Sequence, residues 1–338
     1  MNHTTEVLEG EIARFEQLIV RLNAVYSIEK VADYVFVIKP AESDSASFGA
    51  GSVSRDVHLT LMGSVHGVEV AGLAVLNKVL ERLVSDSTLL AAPLGVAVGN
   101  VPAIRAKKRF IDRDLNRSFG RTSRETGEDR RADELEKLIL RSRYMIDFHQ
   151  VRLPSVSPFW IFPYHKEGFS FVRAVAADVP IVTHWQGGFS QDGQCSDEFL
   201  IKNGSCGVSI ELGQCGFDSV QIDLGFRVAL AGIREARMRV LGETRGPRLD
   251  HGVSKIYTWG EIVPYPHTGL RVLDEGWSNF AFVKAGQRLG EFNGQTITSK
   301  NSGWILFPKY PDQSSPTIPP AAELVRILKE VSEAELPK

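Results

Sequence analysis

His66 and Glu69 stand three positions apart in GSVHGVEVAG, after the apolar run HLTLMG and before a helical pattern. At a strand's end such a pair can aim one imidazole and one carboxylate at a common cation, with Gly63 and Gly67 freeing the backbone for the turn. His-x-x-Glu is also common by chance, and then means only two polar residues near a turn. A third ligand has to come from a distant strand end. MIDFHQ offers one, because His149 directly follows the apolar residues of an expected central strand; alone, it would read as a hydrogen-bonded structural histidine. Two histidines and a glutamate make the three-ligand set of catalytic zinc, which leaves one position for water, whereas structural zinc wants a closed, usually Cys-rich shell. The water's proton then needs an acceptor, and SIELGQCG places Glu211 in an otherwise apolar strand where an unpartnered charge is costly. The alternative for Glu211 is a side chain pointing out of the sheet or paired with a core arginine.

A further cluster, RFIDRDLNRSFG, packs Arg109, Asp112, Arg113, Asp114, Asn116 and Arg117 into one loop. Charge this dense reads as a solvated face, or as a grip for a substrate carboxylate, since a guanidinium forks onto two oxygens while a neighbouring amide donates from the side. Interleaved acids argue against a nucleic-acid patch. Tyr164, after FWIFP, is a weak further hydrogen-bond donor, and His58, His165, His184, His251 and His267 have no partner at ligand spacing.

These residues need a scaffold that brings distant strand ends together. Branched or aromatic runs at Tyr34 to Ile38, Val57 to Met62, Leu94 to Val98, Met145 to Phe148, Phe159 to Phe162, Ile181 to Val182 and Val208 to Leu212 read as strands. Between several of them lie helical patterns at Val68 to Leu83, Ala132 to Arg143, Phe169 to Ala177 and Phe226 to Leu241. Leu8, Ile12, Phe15, Ile19 and Leu22 add an amphipathic opening helix. Such alternation predicts a three-layer α/β domain with a mostly parallel central sheet, and active residues at the carboxyl ends of its strands. GETRGPRLD, at 242–250, marks a boundary, and the glycine-punctuated aromatic runs from Lys255 to Pro308 predict a compact all-β domain of hairpins. Leu324, Ile327, Leu328 and Val331 recur at helical spacing after a Pro-Pro stop, which predicts a tail helix. The expected division is a catalytic domain over 1–245, a β domain over 250–317 and a tail helix over 318–338.

The 338 residues are 43% hydrophobic, enough for a large core, and 39 basic against 41 acidic residues leave a net charge of -2. That balance provides no global attraction to nucleic acid or to an anionic membrane. No basic segment followed by an apolar leader opens the chain and no apolar run reaches bilayer length, so a cytoplasmic location is expected. Three cysteines, Cys195, Cys206 and Cys215, lack the paired spacing of a zinc ribbon or redox motif and read as buried free thiols.

The order H-G-x-E, R-x-x-D-x-D-L-N-R, D-x-H and a strand ending E-x-G resembles the succinylglutamate desuccinylase and aspartoacylase family, a branch of the zinc carboxypeptidase clan, over roughly residues 57 to 215. The resemblance implies one zinc ion per chain at His66, Glu69 and His149, with Glu211 as general base. It also implies Asn116 and Arg117 on a free substrate carboxylate and Arg109 polarising the scissile carbonyl, with Asp114 and Asp147 in ordering roles. Two departures, Val68 and Gln150 where the family often has Asn and Thr or Asn, supply no ligand and bear on the identity of the acyl group and amino acid. FAFVKAGQRLGEFNGQTITSKNSGWILFP looks like the barrel-sandwich hybrid of lipoyl and biotinyl carrier domains, without a convincing lysine for a swinging arm. Placed over the zinc, such a domain would narrow the entrance.

The expectation is therefore a zinc-dependent amidohydrolase, or deacylase, acting on a small N-acyl amino acid or related carboxylate-bearing amide. Its partner would be that small molecule, not nucleic acid or membrane, and self-association into a homo-oligomer stays open. A zinc carboxypeptidase acting on a peptide or cell-wall fragment uses the same chemistry, and a non-catalytic metal-binding protein would keep the fold without the turnover.

Overall fold

Branched apolar runs alternating with helical segments build an α/β protein around one mixed sheet. A computed structural model describes residues 3–40, 55–185, 194–242, 255–266, 272–310 and 323–338. Helix α1 (His3–Leu22) and strands β1 (Ser27–Ala32) and β2 (Val35–Lys39) precede the first crossover, β3 (Val57–Gly63), α2 (Ala71–Ser85) and β4 (Leu94–Val98). Then come α3 (Val101–Ala106), α4 (Gly127–Ile139), β5 (Ser142–Val151), β6 (Phe159–Pro163), α5 (Lys166–Val175), β7 (Ile181–His184), α6 (Ser196–Lys202), β8 (Cys206–Gln214) and α7 (Ser219–Leu241). The C-terminal part holds β9 (Ile256–Pro264), β10 (Phe282–Val283), β11 (Arg288–Phe292), β12 (Gln295–Thr298), β13 (Gly303–Leu306) and β14 (Glu323–Val331).

Among the described residues the main sheet has 12 strands in the order β1-β2-β4-β3-β5-β8-β6-β7-β9-β14-β13-β10. Its centre, β4-β3-β5-β8, is parallel. Strand β3 is buried along its whole length, as a parallel strand covered on both faces should be. The expected parallel character ends at β8, because β6 enters antiparallel to it before β7 and β9 resume parallel pairing. The sheet is thus mixed. The opening helix packs as its periodicity predicts, with Leu8, Ile12, Phe15, Ile19 and Leu22 in the core beside α2 and α7 residues.

Helix α4 starts earlier than its apolar pattern. Thr126 Oγ1 accepts from the Asp129 N–H at 3.1 Å, and Asp129 Oδ2 accepts from the Thr126 N–H at 3.0 Å, so a capping box sets the first turn before the apolar stripe begins.

The tail corrects an expectation. Residues 323–331 form strand β14, not a helix, hydrogen-bonded to β9 on one side and β13 on the other. Leu324, Val325, Ile327 and Leu328 are all buried there. A strand covered on both faces needs no alternation, so its apolar spacing can imitate that of a helix. The C-terminal strands also join the main sheet through β7 and β9, with Ile181 opposite Ile256, while β11 and β12 pair separately. Residues 243–250 of the expected boundary, together with His251, His267 and 318–322 of the expected tail, lie outside the described residues. Among the described residues, no helix is long and apolar enough to cross a membrane. Cys195 and Cys206 are buried, Cys215 is partly buried, and all three are free.

Candidate metal and active site

Three neighbouring parallel strands deliver the chemical groups. Gly63, ending β3, is in register with Phe148 of β5, and His149 is directly opposite Glu211 of β8. Parallel strands end on the same side, so the β3–α2 turn that carries His66 and Glu69 meets His149 and Glu211 at one edge. The turn is tight. Ser64 adopts φ 57°, and its Oγ donates to the Glu69 carbonyl at 2.9 Å. A Cβ on Gly67 would fall 2.2 Å from the Ala103 carbonyl carbon, which requires glycine there. The Gly67 N–H donates to the Arg109 carbonyl at 3.0 Å and ties the turn to the arginine loop.

His66, Glu69 and His149 are all buried, and their ligand atoms lie within 4.8 Å of one another. A carboxylate stands beside the outer nitrogen of each imidazole: Asp114 Oδ1 is 2.9 Å from His66 Nε2, and Asp147 Oδ2 is 2.9 Å from His149 Nε2. That leaves both Nδ1 atoms on Glu69, His66 at 2.6 Å from Oε1 and His149 at 2.9 Å from Oε2. His66 Nδ1 is buried without a hydrogen bond. It faces Glu69 Oε1 across that 2.6 Å contact, so an imidazole nitrogen and a carboxylate oxygen stand close enough to share one cation. Two imidazoles and a carboxylate, each imidazole backed by a carboxylate, are a donor set that fits a divalent transition metal, zinc above all.

The surrounding charges act in the same sense. Burial by itself would raise the Glu69 pKa, yet His66 and His149 hold it well below the usual carboxylate range. Burial would lower the His149 pKa, but Asp147 and Glu69 outweigh it and the pKa lies well above that of an ordinary histidine. Glu211 behaves differently. Burial first, and then the Glu69 charge, push it up to about 7, against the pull of His149, Arg109 and His66. Its Oε2 is buried with no hydrogen-bond partner. A carboxylate with such a pKa beside a cation-ready cluster can take and return a proton near neutral pH.

The arginine loop is folded over this cluster by a residue that motif reading missed. Glu128, buried in the first turn of α4, accepts from the backbone N–H groups of Ile111 at 2.7 Å, Asp112 at 3.2 Å and Arg113 at 3.4 Å. Thr126 and Asp129 mark that turn in the sequence, but nothing local shows that Glu128 grips a loop. Arg109 Nη1 donates to Glu69 Oε1 at 3.0 Å, and its Nη2 is 2.8 Å from His66 Nε2. Burial opposes its charge, but Asp114, Glu69 and Glu211 outweigh that and raise its pKa.

Asn116 and Arg117 stand one step outward, against the start of α6. Asn116 Oδ1 accepts from the Ser196 N–H at 3.0 Å, and Arg117 Nη1 donates to the Asn116 carbonyl at 2.6 Å and to Cys195 Sγ at 3.0 Å. Lys309, from the C-terminal part, was also not singled out. Burial, then Arg109 and Arg117 among other charges, push its pKa down to about 8 against the attraction of Glu323. Its backbone N–H donates to the Leu324 carbonyl at 2.9 Å and so ties it to β14.

The Gln150 backbone N–H donates to Glu69 Oε2 at 3.2 Å, while its side chain turns to other groups. Its Oε1 accepts from the Ala71 N–H at 3.1 Å, and its Nε2 donates to Gln221 Oε1 at 2.6 Å and to the Gln214 and Gly216 carbonyls at 2.9 Å each. It pins the loop after Glu211 to the starts of α2 and α7. Tyr164 packs on Phe169 and Trp185, with ring centroids 6.0 and 6.4 Å away.

A family model, the succinylglutamate desuccinylase/aspartoacylase catalytic domain, matches residues 56–231. Succinylglutamate desuccinylase of Serratia proteamaculans is 28% identical over 275 residues, which span 74% of this chain and 79% of that protein. Among solved structures, succinylglutamate desuccinylase of Vibrio parahaemolyticus aligns with a TM-score of 0.65 at 15% identity, covering 93% of this chain and 95% of that one. Murine aminoacylase 3 aligns with a TM-score of 0.57 at 16% identity, covering 82% and 95%. At these identities the structural likenesses speak for the fold.

Proposed function

The chain belongs to the succinylglutamate desuccinylase/aspartoacylase family, and from that premise we propose that it is a zinc-dependent amidohydrolase that removes the acyl group from a small N-acyl amino acid or a related carboxylate-bearing amide. The observation that carries this reading is the convergence of buried His66, Glu69 and His149 with Glu211 across the β5–β8 register. His66 Nδ1, His149 Nδ1 and the Glu69 carboxylate would hold the ion. When bound, it supplies Lewis acidity to the attacking water and the scissile carbonyl. Glu211 takes the water's proton as the oxygen bonds to the carbonyl carbon, and delivers it to the amine nitrogen as the C–N bond breaks. Arg109 donates to the carbonyl oxygen as negative charge gathers there. Asp114 and Asp147 keep the two imidazoles turned inward.

Substrate choice rests on the outer cations. Asn116 and Arg117 hold a free carboxylate, and Lys309 adds positive charge from the C-terminal strands. We read those strands, over 250–317, as a barrel-sandwich-like cap on a catalytic domain at 1–245. A capped mouth admits small substrates, which favours a deacylase over a carboxypeptidase. The test is a screen of the zinc-loaded protein against N-acetyl, N-formyl and N-succinyl amino acids beside short peptides, read by amine release. Turnover confined to acylated amino acids supports the proposal, and preferential cleavage of peptides overturns it.

Arg117→Lys probes the carboxylate grip. Lysine keeps the charge and loses the fork, so kcat/KM for carboxylate-bearing substrates is expected to fall by about 1 to 3 kcal/mol in transition-state terms. The same substrates with that carboxylate converted to an amide should change much less, since the contact is already absent. Equal losses on acid and amide would assign Arg117 to the loop's structure.

A further inference from the structure

We infer that Ser196 is a positioning residue that ties His149, on the metal side of the site, to Asn116, on the substrate side. The inference rests on the metal reading of His66, Glu69 and His149. Ser196 opens α6 and is fully buried. Its hydroxyl donates to Asp147 Oδ2 at 2.6 Å, and that same oxygen lies 2.9 Å from His149 Nε2. Its backbone N–H donates to Asn116 Oδ1 at 3.0 Å.

Each arm has a chemical consequence. The hydroxyl holds the one carboxylate oxygen that faces His149, and so keeps the imidazole's Nε2 outward and its Nδ1 on Glu69, the orientation a metal ligand requires. The amide arm sets a polarity. A backbone N–H can only donate, so Asn116 must present its oxygen to Ser196, which leaves the Nδ2 hydrogens to donate elsewhere, as a carboxylate needs. Cys195, one residue earlier, accepts from Arg117 Nη1 at 3.0 Å, and its own N–H is held by Glu198 Oε2 at 3.1 Å. The start of α6 therefore fixes both members of the Asn116–Arg117 pair while buttressing the far ligand, although Ser196 touches neither the reacting atoms nor the substrate.

The two arms can be cut separately. Ser196→Ala removes the hydroxyl and keeps the N–H. Ser196→Pro removes both, and proline suits this first helical position because Cys195, at ψ 161°, already has the extended backbone that a residue before proline adopts. The experiment measures Zn2+ affinity of the metal-stripped full chain by competition with a chromophoric chelator, for wild type, Ser196→Ala, Asp147→Asn and the double variant. KM at saturating Zn2+ is measured for Ser196→Ala and Ser196→Pro. Ser196→Ala is expected to weaken Zn2+ binding about tenfold or more with KM little changed. Ser196→Pro should add a rise in KM for carboxylate-bearing substrates. In the Asp147→Asn background the Ser196→Ala effect should largely disappear, because the hydroxyl acts through Asp147. Wild-type Zn2+ affinity in Ser196→Ala, with or without a lower Tm, overturns the inference, as does simple additivity of the two substitutions. A wild type that binds no Zn2+ is a different result: it overturns the metal reading itself, and the inference with it.

Discussion

Glu211→Gln is expected to lower kcat by about a hundredfold or more while the zinc content stays unchanged, because the substitution keeps the shape and removes the proton acceptor. Glu211 is outside the His66, Glu69 and His149 group and faces His149 across the strand register. The stability of the metal-stripped protein supplies an independent sign. The Glu211 pKa is raised from 4.5 to about 7 by burial and by Glu69. An acid whose folded pKa is raised binds more protons folded than unfolded between those two values. Its contribution therefore favours the fold below about pH 4.5 and is lost as pH rises through about 7. Above that window the wild type carries a buried negative charge that Glu211→Gln lacks. The metal-stripped variant should then be more stable than wild type at pH 8, by on the order of 2 kcal/mol after allowance for partial solvent access, and the gap should close towards pH 4. Loss of activity with gain of stability is the expected mark of a functional buried acid. Steady-state kinetics, metal analysis and thermal unfolding at the two pH values check it. Near-normal kcat would remove Glu211 from the mechanism, and a pH-independent stability difference would remove its raised pKa.

His149→Ala is the second large effect. The wild type is expected to hold one zinc per chain and the variant nearly none, because two remaining ligands on one turn are too few for a catalytic site. Loss of the Lewis acid removes several kcal/mol of charge stabilisation, so activity should fall roughly a thousandfold or more. The variant should also leave Asp147, which has no exposed surface, without the imidazole that faces it. Stability should drop even in the metal-stripped protein, by about 3 kcal/mol or more, as expected when one partner of a buried charged pair is deleted. Metal analysis of the purified variant decides the first point, and full zinc occupancy with full activity would show the ligand assignment to be wrong. Denaturant unfolding of both metal-stripped proteins decides the second.

Much of this site could be read from the chain because its chemistry is local. His66 and Glu69 share one turn, His149 and Glu211 end apolar strands, and the Arg109 to Arg117 cluster is contiguous. The central strands were legible for the same reason, since a run such as Leu94 to Val98 has one reading once helices flank it. The antiparallel entry of β6 and the continuity of β7 with β9 were not legible, because pairing partners are chosen by long-range contacts that no short pattern encodes. The tail misled for a related reason. Residues 323–331 carry apolar positions compatible with either period, and what makes them a strand is the hydrogen-bonding edges of β9 and β13 waiting on both sides. Glu128, Gln150, Ser196 and Lys309 are ordinary residues in their own neighbourhoods. Each takes its role from groups 15 or more positions away, such as the Ile111 to Arg113 amides for Glu128 or Asp147 and Asn116 for Ser196. Ligand identity follows from side-chain chemistry, which is written residue by residue. The orientation of those ligands follows from buried hydrogen bonds between distant segments, and these exist only once the chain has packed.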